Sequence, residues 1–359
     1  MRVVIAYPTL VEDDAVGNDV IGQYKCLKEE GIEAYIYAEN YDSSISNLIS
    51  KDSIRFLKDK DTILIYHHSI FWENGIGLLK NANCRKVIKY HNITPEHFFL
   101  SYSFDFFKTC LLGRRQNREL VDINIDMIIS DSTFNSKDFT DIGFPEDKSR
   151  VLAPFHKIHE FESIKADIKT LDKLSNGKIN VFFVGRMAPN KGYKNIIYTA
   201  YYYKLLFGNN IRFAITGGLD PRLNGYYAEL TILVNHLGIG DIVEFFGRVS
   251  VQELKSYYLG SHFFLLLTEH EGFCMPILES QYFRLPLVAY GFSGIKETIG
   301  ENQIVYDDLD YEILASSIYT LYNDAESRRY LTNEGYNNFL KYERNKLKSK
   351  FILYLKQLG

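Results

Sequence analysis

Phe263-Phe-Leu-Leu-Leu267, running straight into Thr268-Glu-His-Glu-Gly-Phe-Cys-Met-Pro-Ile-Leu-Glu279, is the stretch on which the fold turns. Five consecutive apolar residues with a polar break after them have the pattern of a strand buried on both faces, as in a parallel sheet. Glu271-Gly272-Phe273 then predicts a tight turn at the strand's carboxyl end, and the next helix opens behind it. The backbone N–H groups of Cys274 and Met275 would lie at that helix's N-terminus, a natural place for a phosphate or a sugar hydroxyl. Glu279 follows one turn into the helix, with Leu278 beside it. Two carboxylates so placed suit recognition of hydroxyl groups, because an ionised carboxylate accepts strong hydrogen bonds from them. The bland alternative is a pair of surface glutamates flanking a capped helix.

Outward from this strand the same alternation repeats. Val181–Val184, Arg212–Thr216, Val243–Phe246 and Leu287–Ala289 are further strands, with helices at Lys191–Phe207, Tyr226–Leu237, Val251–Leu259 and Pro276–Phe283. The first half shows strands at Val3–Tyr7, Ala34–Tyr37, Thr62–Tyr66, Val87–Tyr90 and Met127–Ile129, with helical patterns at Asp19–Glu30 and Pro95–Asp122. Strand–helix alternation of this kind predicts an α/β protein with parallel sheets. Two doubly wound, Rossmann-like units in tandem follow, at 1–160 and 179–335, joined by a polar linker at 161–178. Such sheets bind ligands at the carboxyl ends of their strands, and two facing units make a cleft. An amphipathic helix at 336–359 carries Leu347, Phe351, Tyr354, Leu355 and Leu358 on one face, and Lys341, Arg344, Lys346, Lys348 and Lys350 on the other. It packs back on the first unit with a solvated basic face, or that face touches anionic lipid.

Composition narrows the class. At 359 residues, with 46% hydrophobic and 24% charged side chains, the chain is long enough for two cores. A formal net charge of −4 argues against a general nucleic-acid binder. Cys26, Cys84, Cys110 and Cys274 form no CxxC pair and no Cys/His cluster, so no zinc site or disulfide framework is indicated. A reduced, cytoplasmic setting is the plain expectation from that cysteine usage, and the N-terminal sequence starts directly on a strand without a signal-like segment.

A second chemical element is Val184-Gly-Arg186-Met-Ala-Pro-Asn-Lys191-Gly-Tyr193. Here a strand ends and a helix begins, which places the cations of Arg186 and Lys191 where a nucleoside diphosphate would leave. Charge there would offset the negative charge that develops on the leaving group.

Together these segments resemble the E-x7-E signature and the G-R-x-x-x-x-K-G pattern of GT-B glycosyltransferases, in particular the retaining GT4 family. In that family the first glutamate lies by the transferred sugar and the second binds the nucleotide ribose, so the resemblance implies those roles for Glu271 and Glu279. Cys274 departs from it, since the family often has glycine there. The resemblance also implies catalytic roles for Arg186, Lys191 and His91, the last in Tyr90-His91-Asn92-Ile-Thr-Pro95. It places Gly185, Gly217, Gly247, Arg248, Val249, Gly272, Phe273, Cys274, Met275 and Leu278 around the donor. Gly17 and Asn18, in a glycine-containing loop before the first helix, would approach the diphosphate. His67 and His68 either line the acceptor side or are ordinary strand-end histidines. Arg114 and Arg115 either meet a phosphate on a lipid-linked acceptor or are solvated helix charges.

The implied reaction moves a hexose, with mannose from GDP-mannose the leading choice, from a GDP- or UDP-linked donor to a saccharide or lipid-linked saccharide. The setting would be bacterial surface-polysaccharide assembly, in the cytoplasm or peripherally at the inner membrane. The glycosidic configuration is retained and no cofactor or metal is called for. Asp308-Leu-Asp310 spells the acidic motif of metal-dependent transferases but lies apart from the other motifs, as a helix-start cluster would. Two other readings share the fold: a silent sugar-nucleotide-binding subunit and a sugar-nucleotide epimerase. A nicotinamide dehydrogenase is disfavoured, because Gly75-Ile-Gly77 and Gly238-Ile-Gly240 lack the third glycine and the strand context of a dinucleotide fingerprint.

Overall fold

In the computed structural model, which describes residues 1–11 and 14–358, the first strand is β1 (Arg2–Leu10). Val3, Val4, Ile5 and Ala6 are all buried, as fits a strand covered by helices on both faces. With β2 (Glu33–Tyr41), β3 (Thr62–His68), β4 (Arg85–Tyr90), β5 (Met127–Ser130) and β6 (Ser149–Val151) it forms a parallel sheet in the order β2-β1-β3-β4-β5-β6. The crossovers are α1 (Ala15–Glu29), α2 (Glu73–Asn81), α3 (Phe104–Asp122) and α4 (Thr133–Thr140). Between β2 and β3 the connection is two 3-10 segments, Ser43–Leu48 and Lys51–Lys58.

The second sheet contains β7 (Ile179–Val184), β8 (Ile211–Thr216), β9 (Val243–Gly247), β10 (Phe263–Leu266), β11 (Leu287–Tyr290) and β12 (Ile304–Tyr306). Its order is β12-β11-β10-β7-β8-β9, again all parallel. The helices are α5 (Ile168–Leu174), α6 (Tyr193–Phe207), α7 (Asn224–His236), α8 (Val251–Gly260), α9 (Met275–Tyr282), α10 (Ile295–Ile299), α11 (Tyr311–Asn323) and α12 (Ala325–Phe339). The last helix, α13 (Arg344–Lys356), belongs to the first unit. Both sheets are of the doubly wound, Rossmann-like kind expected from the sequence.

Contacts divide the chain into two units that are not contiguous in sequence. One comprises Met1–Glu96, Asp105–Lys157 and the segment from Tyr342 onward; the other comprises His97–Phe104 and Ile158–Lys341. Residues 161–178, expected as a linker, therefore lie inside the second unit. They hold α5, whose first turn is capped by Asp167 accepting the Thr170 N–H at 2.8 Å. Lys255 ties the preceding turn down by donating to the carbonyls of Phe161 and Ile164, both at 2.7 Å.

Helix boundaries moved for similar local reasons. α1 starts at Ala15 rather than Asp19, because Asp14 caps it by accepting the Gly17 N–H at 3.2 Å. The stretch expected as one helix from Pro95 breaks into a 3-10 turn, Glu96–Phe99, and α3. Tyr102 lies between them and docks within the second unit, donating to Glu229 at 2.7 Å and packing edge-on against Tyr226.

α13 buries Leu347, Phe351, Ile352 and Leu355 in the first unit. Phe351 meets Phe155 edge-on, and Tyr354 donates to the Val151 carbonyl at 3.2 Å. Two cations of its basic face are taken up by α1: Arg344 pairs with Glu29, and Lys348 with Glu29 and Glu30. Among the described residues no helix is long and apolar enough to cross a membrane.

Candidate active site

In a doubly wound sheet the strands on either side of the point where the winding reverses send their loops apart, which opens a binding crevice. In the second unit that point lies between β7 and β10, paired through Val181↔Phe263 and Phe182↔Phe264. Lys191 follows β7 and Glu271 follows β10, and the Lys191 ammonium donates to Glu271 Oε1 at 2.7 Å. The two residues singled out from separate motifs are therefore in direct contact, eighty positions apart.

Close backbone packing makes that contact. Gly192 adopts φ +67°, and a Cβ there would fall 1.8 Å from the Leu267 carbonyl oxygen. Only glycine fits, which explains the Lys-Gly pair in chemical terms. Gly217 is similarly constrained, with φ +149° and a Cβ position 1.7 Å from the Gly185 carbonyl oxygen. Its N–H donates to the Gly247 carbonyl at 2.7 Å, and Tyr193 donates to the Gly185 carbonyl at 2.6 Å. Gly185, Gly217 and Gly247 thus form one layer of loops at the carboxyl ends of β7, β8 and β9. Arg186 and Arg248 are exposed on that layer, and Val249 is half-buried beside it. Arg222 above all, with a smaller contribution from Arg186, holds the Asp220 carboxyl down to about 2.

The Glu271 turn leads into α9 through Gly272, the buried Phe273 and Cys274. Cys274 has φ +74°, the left-handed region that glycine enters more cheaply. The departure from glycine is tolerated, and the buried thiol takes its place in the second unit's core. Met275 starts α9 half-buried. Leu278, expected near the donor, is fully buried; an apolar side chain on the inner face of α9 is a packing residue. Glu279 is half-buried and accepts a hydrogen bond from the Tyr258 hydroxyl of α8. Burial pushes its carboxyl above the usual range, partly offset by that bond. Asp310, of the isolated acidic triplet, caps α11 by accepting the N–H groups of Glu312 and Ile313.

The first unit builds a second polar constellation at the reversal point of its own sheet, between β1 and β3. Asp19 of α1 accepts the Phe155 N–H at 2.7 Å and the Gln23 amide at 2.9 Å. Gln23 Oε1 meets His67 Nε2 at 3.3 Å, His67 Nδ1 meets His91 Nε2 at 2.8 Å, and His91 Nδ1 meets Asp131 at 2.9 Å. Lys89 closes the network by donating to Asp131 and to the Leu152 carbonyl. Burial raises the Asp19 carboxyl. Burial opposes ionisation of Asp131 too, but His91 and Lys89 hold it below the usual range. Burial, reinforced by His91 and Lys89, drives the His67 imidazole well below its ordinary value.

The residues of this unit expected at the site are placed as follows. His91 has both ring nitrogens committed inside this network, and its side chain is only 4% exposed. Its ring presents no unoccupied nitrogen to a substrate in this arrangement. His67 and His68 do not line an open surface. His68 is fully buried, bonds Asn117 at 2.9 Å and stacks on Tyr90, and burial pushes its imidazole down to about 4. Gly17 is glycine because a Cβ would fall 2.3 Å from the Val11 carbonyl oxygen. The Gly17 N–H donates to the Asp14 carboxylate at 3.2 Å and the Asn18 N–H to the Asp14 carbonyl at 2.8 Å, with Asn18 half-buried. Arg114 donates to the Ile93 carbonyl at 3.2 Å and lies 3.8 Å from Asp138, while Arg115 is exposed on α3.

Four residues of the network, Asp19, Gln23, Lys89 and Asp131, escaped the sequence reading. Lys89 sits in an apolar strand, and a lysine there demands a buried carboxylate; that signal was legible. Asp19 and Asp131 carry no such local mark.

Residues 166–338 match the family model described as "Glycosyl transferases group 1". The chain is 23% identical over 343 residues to a capsular polysaccharide biosynthesis glycosyltransferase, CapM, of Staphylococcus aureus, covering 88% of this chain and 87% of that one. Its fold superposes on that of Anabaena HepE crystallised with UDP and glucose, with a TM-score of 0.75 at 15% identity over 99% of this chain and all of that one. A sucrose-phosphate synthase from Thermosynechococcus elongatus gives a TM-score of 0.74 at 13% identity, covering 100% of this chain and 99% of that one.

Proposed function

We propose that this chain, whose residues 166–338 match the group 1 glycosyltransferase model and whose fold matches that of HepE, is a glycosyltransferase that moves a hexosyl unit from a nucleoside-diphosphate sugar to a saccharide or lipid-linked saccharide. The work is assembly of a surface polysaccharide, the activity that the name of the Staphylococcus relative describes. The observation that carries the reading is the Lys191–Glu271 contact at the reversal point of the second sheet, with Glu279 one turn further into α9.

In this reading the diphosphate lies against Lys191 and Arg186, and their charge stabilises the leaving group as the glycosidic bond breaks. The donor reaches Lys191 by replacing part of its present pairing with Glu271. Glu271 then holds sugar hydroxyls, and Glu279 the ribose. The acceptor oxygen attacks from the face that the diphosphate leaves, so the configuration is retained. The phosphate charge is met by side chains and loop N–H groups, and no resident metal is assigned to the step.

The nucleotides HepE was crystallised with favour uracil as the first base to try, ahead of guanine. Thermal melting of the purified chain with UDP, GDP and their hexose conjugates is the test. A nucleotide bound by the folded state alone raises the midpoint by mass action. A rise with one nucleoside diphosphate, together with turnover of its sugar conjugate, supports the proposal. No rise with any of them overturns it, and tight binding without turnover favours a silent binding subunit.

A further inference from the structure

The turn that carries Glu271 is clasped from both sides by neighbouring loops. On one side Asn190, next to Lys191, accepts the Glu269 N–H at 2.9 Å on its carbonyl and donates its side-chain amide to the His270 carbonyl at 3.1 Å. On the other side Ser293 and Gly294, from the loop after β11, take both backbone polar groups of Glu271. The Glu271 N–H donates to Ser293 Oγ at 2.9 Å, and the Gly294 N–H donates to the Glu271 carbonyl at 3.1 Å. A Cβ on Gly294 would fall 2.3 Å from the Gly272 carbonyl oxygen, so this loop is pressed directly against the turn.

Ser293 achieves this at φ +59°, a left-handed conformation that is strained for a non-glycine residue. Glycine would occupy the position without strain but has no oxygen to offer the Glu271 N–H. A strained serine in which the side-chain oxygen makes a specific bond, next to a charged pair, is the arrangement expected of a residue that fixes geometry.

We infer that Ser293, opposite Asn190, is a positioning residue for the reaction: its hydroxyl fixes the Glu271 turn, and thereby the place of the Glu271 carboxylate and of the Lys191 ammonium paired with it. The inference rests on the donor-site reading above for its catalytic consequence, but the clasp itself can be tested separately.

Three substitutions separate strain from hydrogen bonding. Ser293→Gly removes both, Ser293→Ala removes the oxygen alone, and Ser293→Asn keeps an acceptor oxygen on a residue that tolerates the left-handed region. Ser293→Gly and Ser293→Ala are both expected to lower kcat by about tenfold to a hundredfold, with nucleoside-diphosphate Kd unchanged within about twofold because the ribose is gripped from Glu279. Ser293→Asn recovers part of the lost turnover. Hydrogen exchange across residues 268–274 is expected to speed up in Ser293→Gly while its melting midpoint stays at or above that of the wild type. Wild-type kcat in Ser293→Gly, or kcat and affinity falling together, would overturn the positioning role. If the wild type turns over no nucleotide sugar, the functional reading fails, and the exchange measurement still decides whether Ser293 holds the turn.

Discussion

At the scale of single residues, the Lys191–Glu271 pair decides how the second unit handles charge. An ammonium 2.7 Å from a carboxylate is already held in place, so in the proposed donor site little reorganisation would be needed for phosphate to replace the carboxylate. Lys191→Ala is accordingly expected to lower transfer by about a hundredfold or more, with a smaller loss of nucleotide affinity; an unchanged kcat in steady-state assays would refute the charge argument. Glu279 gives a pH prediction. Its carboxyl is raised by burial, so on acidification it takes up a proton earlier than an ordinary glutamate, and in the proposed role it would then stop accepting from ribose hydroxyls. Nucleotide affinity measured by calorimetry from about pH 7 down to about pH 4.5 should fall in the wild type and stay flatter in Glu279→Gln. For stability the sign is opposite. The folded protein holds this proton more tightly than the unfolded chain, so the contribution is present at low pH and is lost as pH rises through the raised value. In the first unit, Asp131→Asn would leave the buried Lys89 ammonium with only the more distant Asp19 carboxylate, at 3.9 Å, as counter-charge. A loss of about 3–5 kcal/mol in denaturant titration is expected, as for a broken buried pair.

At the scale of elements, the strands were the legible part of the sequence and the joins were not. Strands such as Val3–Tyr7 and Phe263–Leu267 announce themselves because both faces are buried and apolar residues run without a break. β6 and β12 are three-residue edge strands with half-buried side chains, too short and too mixed to show a period. Lys191 and Glu271 were legible from their spacing to strand ends. The Asp19–His67–His91–Asp131 network was not, because its members come from α1, β3 and the turns that follow β4 and β5, and meet only when the first sheet is wound. Ser293 had no local mark either, since its role lies in a bond to a turn 22 positions away. α13 was legible as an amphipathic helix, whereas the pairing of its cations with α1 depends on tertiary placement. Phe351→Ala is expected to destabilise the first unit by about 3–5 kcal/mol. Glu29→Gln, at a half-exposed ion pair, should cost under about 1 kcal/mol. Equal effects in urea titration would mean that charge, not burial, docks the helix.

At the scale of the whole molecule, sequence order and unit order disagree. The chain passes between its units at 96/97, 104/105, 157/158 and 341/342. A fragment of residues 158–341 would lack Tyr102, which packs on Tyr226 and bonds Glu229. Such a fragment should melt below the intact chain, and should recover when residues 97–104 are supplied by fusion. The same interleaving has a consequence for biosynthesis. A ribosome reads from the N-terminus, yet the unit that begins first is finished last, because Phe155 and the end of α1 wait for Leu347, Phe351 and Leu355 to emerge. The second unit has all its residues once Lys341 is translated. During synthesis the nascent first unit therefore carries an uncovered apolar seam for as long as the ribosome takes to translate the whole second unit, and that interval is when it is most exposed to chaperones and to aggregation.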